Sequence, residues 1–361
     1  MEDKLTPEAF AKSSPDHRSI AFPARTCSEV IDIYYSIYDT INVICELLNT
    51  MDQHTPEIQL LSLINYLEGA YAPNTLRAYR ADMQEFIHYC QDHALPALPA
   101  SSATVAGFLM STLSQGIKTA TIRRKVSSIS AIHRLSSLPD PTKHPEVTIT
   151  VRKISRQLGT RFDQAYPITK VILDRLVAVC SDDLRGLRDR ALLMLAYDCM
   201  RRRSELVSLR VEDMEWLSDD GVSVLLRKSK TDQHGSGQWI HLSTSATKAL
   251  QDWMQAAQIK DGFILRGIHP NGSLTPSLCE SRVSRIYKAL AKRAQLNERI
   301  VQSISGHSMR VGGAQDLLIQ GASLPQIMIK GGWAKTDTVM RYVERVRTPA
   351  MPAASASQHK V

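Results

Sequence analysis

The sequence predicts a mainly α protein of two domains: a small N-terminal helical bundle, then a mostly helical domain around a small β-sheet. Three observations carry that expectation. Apolar residues recur at spacings of three and four along most of the chain. The period turns strand-like only in GVSVLLRKSK and QWIHLS, which are rich in β-branched and aromatic residues. GTRFDQAYP, residues 159–167, breaks the pattern as a linker would, in a chain whose 361 residues suit two domains.

Residues 1–56 are expected to form an arm and one helix. Val30, Tyr34, Ile37, Ile41, Ile44 and Leu48 share one helical face, with Ser28 as N-cap. Packing on its own domain is the favoured use of that face, and a partner subunit the other. Residues 57–158 form the bundle. TPE at Thr55 opens a helix running through Leu67, and in APNTLRAYRADMQEFIHYC the apolar face is Leu76, Tyr79, Met83, Phe86, Ile87 and Cys90. ALPALPASS breaks the chain, helices follow over 104–115 and 119–136, and a basic helix spans 148–158.

After the linker, residues 168–348 make the second domain. Helices are expected over 169–180 and 189–199, and SELVSLRVEDM carries a further apolar face. TDQHGSG turns one strand into the next. Helices return over 246–259 and 280–294, and the last two near 314–321 and 324–330. Residues 349–361 are low in complexity and read as a disordered tail.

Composition narrows the function. The formal charge is +8, which favours a polyanionic partner. Between Lys118 and Arg161 ten basic residues stand against Asp140 and Glu146, a local surplus that suits phosphate contacts. The apolar stretch 30–48 is interrupted by Asp32, Asp39 and Glu46, so no spanning helix is expected there, and the N-terminus lacks the pattern of a secretory signal. The basic surplus then points to nucleic acid rather than membrane. The six cysteines include no CxxC, which suits a reduced cytoplasm and argues against zinc.

The chemistry-bearing residues come late and in order. GHSMRVGGAQDLL holds His307 and Arg310; LPQIMIKGGWAKTDTVMRYVERV holds Trp333 and Tyr342. Upstream, AYDCMRRRSELVSLRVEDM offers three consecutive arginines before Glu205, and RKSKTDQ offers Lys228 and Lys230. Singly, each has a plainer reading: a core Tyr, a packing Trp, a surface Lys.

As a set they resemble the tyrosine recombinase (phage integrase) family, most like its Cre-like members. The resemblance spans roughly residues 57–348 in layout and is most specific in the second domain. It implies Arg202, three before Glu205, as the first catalytic arginine; Arg201 then stands where an apolar residue is common. The Lys-Thr pair selects Lys230. His307, Arg310, Trp333 and Tyr342 complete the catalytic set, with Glu205 in support. The implied fold is that of tyrosine recombinases and topoisomerase IB.

The residue types suit the reaction. Two arginines that keep their charge can clamp a phosphodiester as negative charge grows on it. Trp333 can donate an indole N–H or simply pack the site. His307 can move a proton or donate to the phosphate. Tyr342 would attack phosphorus, and Lys230 would protonate the leaving 5′ oxygen. The resemblance implies a site-specific DNA recombinase working through a 3′-phosphotyrosyl link and a Holliday junction, with no metal, ATP or other cofactor. It implies double-stranded DNA as partner, a tetramer on two DNA sites, and a cytoplasmic, nucleoid-associated location. Need for accessory proteins is left open. Arg77, Arg80, Lys118, Arg123, Arg124 and Lys125 are the expected DNA contacts of the first domain. The alternatives are a catalytically silent, recombinase-derived architectural protein and topoisomerase IB-like relaxation without exchange; a metal-dependent nuclease lacks the clustered Asp, Glu and His it would need.

Overall fold

The computed structural model describes residues 55–159, 164–218, 221–229, 237–344 and 346. The expected helix at 30–48, Lys230, the hairpin turn and the tail 349–361 lie outside the described residues. The chain divides into two compact units, Met1–Phe162 and Asp163–Val361.

The first unit holds five helices among its described residues: α1 (Pro56–Tyr66), α2 (Pro73–Asp92), α3 (Ser102–Ser114), α4 (Thr119–Leu135) and α5 (Pro145–Leu158). Helices α1 and α2 each begin on a proline, where a missing N–H costs nothing. The apolar stripe of α2 is buried as its spacing dictates, except that Tyr79 stays partly exposed. Phe86 meets Phe108 of α3 edge-on, with centroids 5.1 Å apart. Helix α5 starts three residues before the expected 148, because His144 caps it and Pro145 supplies its first turn. His133 is fully buried; its Nδ1 donates to the Ile129 carbonyl at 2.8 Å and its Nε2 accepts from the Ala100 N–H at 3.1 Å. That pairing requires a neutral ring, and burial lowers its pKa.

The second unit contains α6 (Lys170–Ala178), α7 (Leu184–Cys199), α8 (Arg203–Val207), the antiparallel strands β1 (Met214–Trp216), β2 (Val222–Leu226) and β3 (Gln238–Leu242), then α9 (Thr244–Ala256), α10 (Glu280–Arg293), α11 (Glu298–Ser303), α12 (Ser308–Ile319), α13 (Leu324–Gly331) and α14 (Thr336–Val343). Sheet order is β1-β2-β3, with Val224 opposite Met214 and Ile240. Val222, Val224, Leu226, Ile240 and Leu242 face the core built on Leu192, Leu195 and Trp253.

Several bounds differ from the periodicity for local reasons. Helix α7 begins at Leu184, not 189, because the Asp183 carboxylate accepts from the Gly186 N–H at 2.7 Å. The apolar face in SELVSLRVEDM is split between the short α8, a 3-10 turn and β1, a strand that patterning missed. Helices α11 and α14, six and eight residues long, also lie beyond the expected set.

Candidate active site

The site is assembled where α7, α12, α13 and α14 converge. Helix α7 ends on Met200, a non-glycine residue in the left-handed region at φ 48°. That turn redirects the chain, so that Arg201 and Arg202 lie between α7 and α8. The Arg202 backbone N–H donates to Glu205 Oε2 at 3.0 Å and its Nη1 to Oε1 at 2.6 Å. One buried carboxylate thus caps α8 and orients the arginine.

Arg310, on α12, is 1% exposed. Its Nη1 donates to the carbonyls of Met200 and, at 3.2 Å, Gly331. Burial first, then the Arg202 charge, pulls its pKa down to about 10, while Tyr342 and Glu205 act against the drop. It therefore stays charged at neutral pH. The Met200 carbonyl that Arg310 holds lies two residues before Arg202 in the chain, which brings the Arg202–Glu205 pair to this end of the site.

Trp333 lies beneath Arg310, with the guanidinium carbon 4.5 Å from its ring centroid. Tyr342 meets Trp333 edge-on at 5.8 Å and 70°. Tyr342 is partly buried on α14, and its carbonyl accepts from Gln315 Nε2 at 2.8 Å and Gln164 Nε2 at 3.2 Å. Two donors in this cluster, Arg310 Nε and Trp333 Nε1, are buried without a hydrogen-bond partner among the described residues. Such donors are costly unless an acceptor meets them, and a phosphate oxygen would.

His307 is exposed at the N-terminal end of α12, its N–H donating to Ser305 Oγ at 3.2 Å. A Cβ on the preceding Gly306 would sit 2.9 Å from Arg203 Cδ, so the arginine side chain would have to shift to admit one. Gly332 has φ +63°, and a Cβ there would lie 1.9 Å from Arg201 Nη1. The structure therefore brings Arg202, Glu205, Arg310, Trp333 and Tyr342 together and sets His307 at the head of Arg310's helix. Lys230 lies outside the described residues, while Lys228 is exposed. Among the described residues no three His, Cys, Asp or Glu side chains form a group able to hold a metal ion, and no helix is long and apolar enough to cross a membrane.

In the first unit, Arg77, Lys118, Arg123 and Arg124 are exposed and Arg80 partly so. Arg124 is held at 2.9 Å by Asp82, a buried carboxylate that also accepts from Ser128 at 2.7 Å. Lys125 corrects the expectation. It is 2% exposed, its ammonium paired with Glu85 and 5.5 Å from the Phe108 centroid. The helical register of α4 turns it inward while Arg123 and Arg124 face out, so it cannot serve as a surface phosphate contact.

Residues 168–347 match the model described as "Phage integrase family", and residues 62–136 the "Phage integrase, N-terminal SAM-like domain". The chain is 33% identical to an integrase/recombinase XerD homolog of Selenomonas ruminantium, over 77% of this chain and 84% of that one. The chain belongs to the phage integrase family. Membership makes it a tyrosine recombinase, a DNA strand transferase. This recombinase is also 25% identical to the recombinase Cre of Escherichia phage P1, over 77% of its own length and 85% of Cre's. Its fold is that of XerH site-specific recombinase, solved bound to a palindromic difH substrate (TM-score 0.61, 16% identity, 85% and 86% of the two chains), and of a lambda integrase dimer bound to a COC′ core site (TM-score 0.58, 15% identity, 90% of each).

Patterning missed Gln164 and Gln315, which hold the Tyr342 carbonyl. A glutamine that holds a distant backbone carries no local signal. Arg201 did carry one, as a charge where an apolar residue is common.

Proposed function

We propose that this recombinase cuts and rejoins duplex DNA at specific sites, using Tyr342 as nucleophile. The phenolic oxygen attacks phosphorus, its proton passing to His307. Arg202 and Arg310 take up the charge that grows on the non-bridging oxygens, with the Trp333 indole N–H as a further donor. The bond from phosphorus to the 5′ oxygen breaks, and the Lys230 ammonium gives that oxygen its proton. A 3′-phosphotyrosyl link keeps the bond energy for resealing, so neither ATP nor a metal enters the balance. The free 5′-hydroxyl of a second duplex then attacks the link, and exchange runs through a Holliday junction in a tetramer spanning two sites. The chromosome or an element within the cytoplasm is its substrate.

The observation that carries this reading is the stack of Arg310 over Trp333 against Tyr342. It puts a permanent cation and a buried, unpaired indole donor beside the one tyrosine of the motif. The test is to incubate wild type and Tyr342→Phe with fragmented genomic DNA, denature in detergent and sequence what remains bound to protein. Adducts in wild type alone establish the nucleophile and map the site. Adducts in both overturn the assignment of Tyr342. Adducts in neither, despite tight binding, favour an architectural role. Joint-molecule analysis on a plasmid carrying the mapped site separates strand exchange from simple relaxation.

A further inference from the structure

The end of the expected linker belongs to the second unit and is bonded along its way. The Tyr166 N–H donates to the Ser303 carbonyl and the Ile168 N–H to the Ser308 carbonyl, each at 3.0 Å, and the Lys170 N–H donates to Asp316 Oδ2 at 2.6 Å. Ile168 passes so close to α12 that a Cβ on Gly312 would lie 1.9 Å from its carbonyl oxygen. The segment 166–170 is thus fixed to the helix that carries Arg310, and its bonds to Ser303 and Ser308 bracket His307 in the chain.

Gln164, just before this segment, reaches further. Its Nε2 donates to the Tyr342 carbonyl at 3.2 Å, and Gln315 Nε2, from α12 itself, donates to the same oxygen at 2.8 Å. Helix α14 is eight residues long, and Tyr342 lies in its last turn, where a helix leaves carbonyls without internal partners. A helix this short has little stability of its own, so tertiary contacts decide where its end sits. Val339 and Val343 hold one side of it by apolar packing, which has no direction. The two amides add direction, and they act on the residue that carries the phenol. Gln315 is buried, and a buried amide is costly unless its donors are used.

We propose that Gln164 and Gln315 are positioning residues for the nucleophile. Together they fix the Tyr342 backbone to the frame that carries Arg310, and so set the reach of the phenolic oxygen toward a phosphate held there. Reacting atoms must approach to about 3–3.5 Å, and a misplacement of about 1 Å costs on the order of 100-fold in rate. The pair acts through Tyr342 and not on DNA. This rests on the reading of Tyr342 as nucleophile, so the test reads the position of that residue and its chemistry separately.

Position is read by fluorine NMR on protein made with 3-fluorotyrosine, the line of residue 342 being assigned by its loss in Tyr342→Phe. Chemistry is read by single-turnover cleavage of a duplex carrying the mapped site, at saturating DNA and at a temperature where every variant is folded. Wild type, Gln164→Met, Gln315→Met and the double variant are compared, with DNA affinity and thermal unfolding measured alongside. Leu250→Ala, a core truncation in α9, controls for lost stability. Each single variant is expected to cleave roughly 5-fold more slowly, as for loss of one hydrogen bond. The double variant is expected to lose about 100-fold, more than the product of the singles, because either amide alone keeps hold of the one oxygen. DNA affinity is expected to stay at the wild-type value, and the fluorine line of the double variant to move toward that of unfolded protein. Gln164 is part-exposed, so its variant reports on the line even where Gln315→Met does not fold. A double variant as fast as wild type overturns the proposal. So does a slow variant whose fluorine line stays in place, or a Leu250→Ala that slows cleavage as much for the same loss of thermal midpoint. Adducts that persist in Tyr342→Phe remove Tyr342 as the nucleophile, and the positioning role with it, whichever way the line moves.

Discussion

The guanidinium of Arg310 lies 4.5 Å above the ring of Trp333, and Trp333 meets Tyr342 edge-on. One indole thus supports the cation on its face and the Tyr342 ring at its flank. Its N–H is buried without an acceptor among the described residues. The ring's packing and its N–H are separable by mutation.

Trp333→Phe keeps an aromatic face under Arg310 and removes only the donor. Cleavage is expected to slow by roughly 100-fold, as for loss of one preorganised donor, with DNA affinity unchanged. Trp333→Ala adds a cavity beside Val339 and Val343 and is expected to cost a further 3–5 kcal/mol of stability or so. Single-turnover cleavage and urea denaturation check the pair; equal rates for Phe and wild type would make Trp333 a packing residue only.

Gly332→Ala places a Cβ on a left-handed residue and against Arg201. The backbone strain alone is worth about 1–3 kcal/mol, and the clash displaces the guanidinium from Lys330 and Gln238. Loss of both stability and cleavage is expected. Denaturation midpoints compared with Gly272→Ala, a glycine with nothing within 4 Å of its would-be Cβ, separate contact from conformation.

Lys125→Met replaces a buried ammonium by a side chain of similar shape. Its partner Glu85 is 45% exposed and stays hydrated. DNA affinity and its salt dependence are expected to match wild type, whereas Arg123→Ala lowers the slope of log K against log salt by about 0.9. Binding titrations over a range of salt decide it.

His133 links the stability of the first unit to pH. Burial pushes its pKa down, so the unfolded chain, titrating near the ordinary value of about 6.5, takes the proton first as pH falls. The contribution is complete above about 6.5 and is lost as pH drops through the lowered folded value. Thermal unfolding between pH 7.5 and 5 is expected to show this loss, and His133→Asn to flatten it; an unchanged slope in that variant would assign the effect to carboxylates.

Much was legible before any coordinates. The stripe Leu76, Met83, Phe86, Ile87 and Cys90 is buried because 3.6-residue spacing leaves it no other choice. The order of Arg202, His307, Arg310, Trp333 and Tyr342 carried the resemblance to the family whose model residues 168–347 match. The small sheet was readable from β-branched composition, but β1 was not, since three residues hold too little pattern.

What the tertiary structure alone decided is which groups point where. Arg123, Arg124 and Lys125 are adjacent basic residues in sequence, yet helical register turns one of them into the core. Arg201 and Arg202 are equally adjacent, and the left-handed turn at Met200 directs one toward α13 and the other toward Glu205. Gln315 and Gln164 reach the Tyr342 carbonyl across 27 and 178 positions of chain. Sequence determines the chemistry available and the local period. Only packing, through close approach and the burial of charge, determines which of several identical residues is used.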